Sequence, residues 1–129
     1  MKLSRKQLVL MGWLMIIGII VLSLAPISGA VPDVKNGDKI GHFIAYFSLM
    51  TWFSWLYQKP LVRNLYAIGF IVLGGVMELL QSMTTYRMGD IEDFHVNTIG
   101  VIIGFVFSVF SANIPFIKKL FSLERTNSL

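Results

Sequence analysis

Along this chain, apolar residues gather into four long runs, and polar residues fall mostly in the short segments between them. The runs extend from about Gln7 to Leu24, Ile40 to Tyr57, Leu61 to Gln81 and Ile91 to Ala112. Each comes close to the roughly 20 residues that an α-helix needs to cross the hydrocarbon core of a bilayer. Ala25-Pro26 and the stretch containing Gly29 end the first run, because proline cannot continue a helix. The pattern predicts an all-α fold: a polytopic membrane protein, an antiparallel bundle of about four transmembrane helices. Beyond the last run, residues 113–129 include Phe116, Ile117, Leu120 and Phe121 beside Lys118 and Lys119. That mixture suits an amphipathic tail on an anionic inner leaflet.

Composition supports the membrane reading. The chain of 129 residues, read as residues 1–129, allows a single domain. It is 55% hydrophobic and only 14% charged, too few charges to clothe a soluble domain of this size. The net charge of +4 would suggest nucleic acid in a soluble protein. Here the basic residues lie between apolar runs and read as topology signals, so no nucleic-acid partner is expected. With the N-terminus in the cytoplasm, Lys2, Arg5, Lys6, Lys59, Arg63, Lys118, Lys119 and Arg125 all fall inside, against Lys35, Lys39 and Arg87 outside. The positive-inside rule favours that orientation, with both termini cytoplasmic. Trp52, Trp55 and Tyr57 then lie where aromatic anchors collect at the inner interface. Lys2, Arg5 and Lys6 could open a signal peptide cleaved after Ser28-Gly29-Ala30, but a signal core spans about 7–15 residues. The longer run here points to a retained first helix. Cysteine is absent, which excludes disulfides and thiolate metal sites.

Against this background the buried polar residues stand out. Glu78 lies inside an apolar helix, where an acid costs about 3 kcal/mol on insertion scales. Its ordinary explanation is snorkelling from a position near the helix end. Gln81 shares its face, and Gly74 and Gly75, one turn earlier, leave room for a neighbouring helix to approach. Asp38, His42 and Tyr46 follow one another at four-residue spacing, so an acid, an imidazole and a phenol share one stripe. Asp38 alone is explained as a helix cap, and His42 alone as a satisfied core histidine. Arg87, Asp90, Glu92 and Asp93 crowd the start of the fourth run, with Asn97 four residues beyond Asp93. Gly100 and Gly104 form a GxxxG pattern, best read as close helix packing. His95 lies off that stripe and is left out. In an antiparallel bundle all these groups fall in the outer third of the membrane. Capping accounts for Asp38 and Asp90, but poorly for His42, Glu78 and Asn97, so the set reads as a site.

The same residues carry a resemblance. Asp38-Lys39, His42-Phe43 and Tyr46, then Gly74, Glu78 and Gln81, then Arg87, Asp90, Asp93, Asn97, Gly100 and Gly104 occur in order over residues 38–104. In this the chain resembles the VanZ-like family. The resemblance implies a small multi-pass protein of the bacterial cytoplasmic membrane. The family is named for a member linked to resistance to the glycopeptide teicoplanin, and it brings no defined biochemical activity. It also implies that Asp38, His42, Glu78, Gln81, Arg87, Asp90, Asp93 and Asn97 are characteristic family positions, whereas His95 is not.

Three functions fit these residues. The favoured one is a non-catalytic envelope factor binding a lipid-linked cell-envelope precursor, another cell-wall component or a glycopeptide at the outer leaflet. Arg87 would clamp a phosphate or carboxylate, with Asp90 and Asp93 orienting it. The second is an enzyme using Glu78 or His42 as general acid or base. The third is a proton- or ion-coupled transporter, disfavoured because no charged residue continues the polar set inward. For a metal variant of the enzyme, His42, Glu78, Asp90 and Asp93 offer nitrogen and oxygen ligands, but no HExxH or paired-histidine motif appears, so neither a metal nor another cofactor is expected. Membrane lipids are the expected partners, and a homo-oligomer is compatible with the sequence.

Overall fold

The computed structural model describes residues 3–25, 37–85 and 90–122. Among these residues the five helices are α1 (Arg5–Leu24), α2 (Gly37–Leu56), α3 (Pro60–Ser82), α4 (Ile91–Ser111) and α5 (Pro115–Ser122). The four apolar runs correspond to α1–α4, and the fold is the expected all-α membrane bundle. Local signals set the helix starts. Ser4 and Gln7 exchange hydrogen bonds in a capping box, the Ser4 hydroxyl accepting from the Gln7 amide at 3.2 Å. Pro60 opens α3, where its missing N–H costs nothing. Asp90 caps α4, its carboxylate accepting the Glu92 N–H at 2.9 Å.

Helix α2 occupies the centre, packed against α1, α3, α4 and α5. Tyr46, Leu49, Met50, Phe53 and Leu56 on this helix are all buried. Phe53 gathers Tyr66 and Phe70 of α3 at ring-centroid distances of 4.9 and 5.3 Å. The outer surfaces are apolar instead: Leu14 and Ile17 of α1, Leu65 and Val72 of α3, and Ile102 and Phe110 of α4 are exposed. Such surfaces suit lipid, and α1, α3 and α4 are each long and apolar enough to cross a bilayer. The expected fourth span, α2, is not among these three helices. It equals α1 in length, at 20 residues, but carries Lys39, His42, Thr51 and Ser54. Its neighbours shield those groups from lipid, so it does not need so apolar a composition.

The seam between α2 and α4 is close and polar. A Cβ on Gly100 would lie 2.9 Å from the Phe43 carbonyl oxygen, and one on Gly104 only 2.7 Å from that of Phe47. Only glycine permits backbones this near. Beside it, the Ser54 and Ser108 hydroxyls share a hydrogen bond of 2.6 Å, and Trp55 Nε1 donates to the Ser111 hydroxyl at 3.0 Å. Trp52 Nε1 donates to the Leu8 carbonyl of α1 at 2.9 Å. The two tryptophans expected as lipid-interface anchors therefore spend their N–H groups inside the protein. In α5, Phe121 is buried against Trp52, while Lys118 and Lys119 are exposed.

Candidate functional site

The antiparallel arrangement brings the start of α2, the end of α3 and the start of α4 to one end of the bundle. His42 is the centre of what collects there. Its Nδ1–H donates to Asn97 Oδ1 across the α2–α4 seam at 2.9 Å. The same nitrogen lies 3.7 Å from Glu78 Oε1 on α3, and Nε2 lies 3.8 Å from Asp93 Oδ2 on α4. Both carboxylates are nearly withdrawn from solvent. Glu78 is also fixed through its other oxygen, which accepts the Asp90 backbone N–H at 3.1 Å. Asn97 is wholly buried and fits against Gly74, where an added Cβ would lie 3.1 Å from that of Asn97. Gly75 faces Phe94 at ordinary van der Waals distance.

Lys39 forms the outer layer. Its ammonium reaches Asp93 at 3.1 Å, Asp90 at 3.3 Å and Glu92 at 3.5 Å. From the sequence Lys39 reads as a topology signal and as part of the run that carries the family resemblance, not as a site residue. The available clue was its position three residues before His42, which places both on one helical face. Asp90 sits outside the membrane-spanning segments, and its carboxyl is held below the ordinary value near 3.8. The main cause is the Glu92 N–H it accepts, with Lys39 adding to it. A depressed carboxyl stabilises the fold above its ordinary pKa and loses that contribution as the pH falls through the depressed value. Asp90→Asn, which keeps a cap but no charge, is expected to lower Tm at pH 7. The gap from wild type should narrow as the pH falls below the ordinary carboxyl value in parallel thermal melts, and a gap constant with pH would contradict this.

Of the other sequence candidates, Gln81 is drawn elsewhere: its side-chain amide donates to the Ser23 carbonyl of α1 at 2.8 Å. Tyr46 is buried one turn below His42. His95 is exposed. The Asp38 side chain and Arg87 lie outside the described residues. Among the described residues the cluster is acidic: Asp90, Glu92 and Asp93 lie around the ammonium of Lys39, and Glu78 lies beside His42. An arrangement of this kind holds a positively charged group readily, and an anion only with added positive charge.

The model of the VanZ/LLP1 family matches residues 3–112, spanning α1 to the end of α4. The chain belongs to the VanZ/LLP1 family. It is thus a VanZ/LLP1-family membrane protein, and the cluster around His42 lies wholly within the matched region. No curated protein and no solved structure matches the chain.

Proposed function

We propose that this VanZ/LLP1-family protein binds the headgroup of a lipid-linked or cell-wall component at the His42 end of the bundle. One observation carries the reading: side chains of three helices converge on His42 at a single end of an otherwise apolar bundle. Separate capping or snorkelling would not turn Glu78, Asp93 and Asn97 towards one imidazole. With the N-terminus cytoplasmic, as the distribution of Lys and Arg favours, this end faces the outer leaflet of the bacterial cytoplasmic membrane. The family's link to glycopeptide resistance fits a ligand drawn from envelope construction. Arg87 remains the sequence-based candidate for an anion clamp.

Native mass spectrometry of gently extracted protein tests this reading. Wild type is expected to retain a lipid-linked component. Glu78→Gln and Arg87→Lys should each reduce that retention by about tenfold or more, since lysine keeps charge but loses the bidentate fork. Retention unchanged in both variants would remove the proposal. The natural absence of cysteine makes orientation simple to check. A single cysteine placed by Thr85→Cys should react with an impermeant thiol reagent from outside intact cells. Labelling only after cell lysis would put the site on the wrong face.

A further inference from the structure

The chemistry of the cluster leads beyond headgroup binding. His42, Glu78 and Asp93 each offer one ligand atom, and these atoms lie within 4.8 Å of one another. They come from α2, α3 and α4, so no motif within one helix announces them. We propose that His42, Glu78 and Asp93 form a binding site for one divalent metal ion of the zinc or manganese class. One imidazole nitrogen with two carboxylate oxygens suits these ions, whereas magnesium and calcium prefer oxygen alone.

The neighbouring groups match the requirement. Donation of Nδ1–H to Asn97 Oδ1 fixes the imidazole tautomer and leaves the Nε2 lone pair on the side of Asp93. A metal-bound histidine is normally oriented in this way, with its second nitrogen hydrogen-bonded to an oxygen. Two carboxylates buried against one imidazole also call for positive charge between them. A second and independent sign comes from the polar atoms beside the cluster. The Tyr46 hydroxyl and Asn97 Nδ2 are fully buried and have no hydrogen-bond partner among the described residues. Both are donors, on residues one turn below His42 and bonded to it respectively. An oxygen atom carried on the metal, from water or a headgroup phosphate, would give them an acceptor. Ligand atoms around a tetrahedral ion stand about 3.4 Å apart, so the widest gap must close by about 1.4 Å. Rotation of a carboxylate side chain covers that distance.

Three protein ligands leave a coordination position open, and an anionic headgroup could fill it. This would explain how an acidic site accepts an anion. That role for the ion rests on the headgroup reading above, whereas the ion site rests on its own residues.

The test uses full-length protein in detergent, stripped with EDTA and titrated with Zn²⁺ or Mn²⁺ alone, without added lipid. Calorimetry and elemental analysis should find one ion per chain for at least one of the two metals. Asn97→Ala should weaken binding by about 10–100-fold, as loss of an outer hydrogen bond does, and Glu78→Gln or Asp93→Asn by more. His95→Gln, at an exposed residue outside the cluster, should leave affinity unchanged. Absence of stoichiometric binding, or equal binding by wild type and all these variants, overturns the site. Should the variants fail to fold, Co²⁺ added to wild type decides. A visible spectrum of four- or five-coordinate nitrogen and oxygen ligation supports the site, and that of aqueous cobalt rejects it. Repeating the lipid measurement with and without EDTA separates the two proposals. Metal binding without lipid retention leaves the ion site and removes the headgroup reading; lipid retention without metal binding does the reverse.

Discussion

Gly104→Leu is expected to cost the protein its folded bundle. A Cβ at this position would stand 2.7 Å from the Phe47 carbonyl oxygen and 3.2 Å from both Met50 Cβ and Thr51 Oγ1. The nearest obstacle is backbone of the central helix, which cannot swing aside as a side chain can. Overpacking commonly costs about 1–3 kcal/mol, and a leucine pressed against main chain belongs at the upper end or beyond. Thermal melts in detergent should show a large fall in Tm or no folded protein. Gly69→Leu is the control, because nothing lies within 4 Å of a Cβ there. Equal stability of the two variants would mean that α2 and α4 do not meet along this seam.

Asn97→Ala should produce the second large effect, on stability and ligand retention together. Asn97 has no solvent exposure, accepts the His42 Nδ1–H and rests on Gly74, so it joins all three helices of the site. Truncation leaves a buried imidazole donor without that acceptor, a loss of about 1–3 kcal/mol, and opens a void beside Gly74. It also frees the imidazole to turn, so retention of a lipid-linked component should fall with Tm. Asn97→Asp keeps the oxygen acceptor and should preserve the ring's position better than alanine does. Wild-type melting and retention in Asn97→Ala would show that His42 is not held as described.

The helices were legible in the sequence because lipid-facing runs must stay apolar over their whole length, which leaves a long, coherent signal. The helix that departs from that signal is α2, whose polar residues are covered by protein. The convergence of His42, Glu78, Asp93 and Asn97 could also be anticipated, since polar groups in apolar helices stand out and antiparallel order puts them at one end. Periodicity alone could not choose between neighbours. Gln81 shares a face with Glu78, yet it turns to α1, because a helical face is broad enough to touch two partners. Lys39 looked like an orientation signal because position between runs and membership of a site leave the same mark in a sequence. No local spacing marks the proposed metal ligands, because folding alone brings the three residues together.

The glycine seam has a mechanical consequence. With α2 and α4 in backbone contact and cross-linked by Ser54 and Ser108, the imidazole and Asp93 belong to one stiff wall. Glu78 arrives on α3, a separate wall held to α4 by fewer close approaches. Strain that opens the cluster should therefore displace the glutamate's helix and leave the histidine still, like a gate with one hinged leaf and one fixed post.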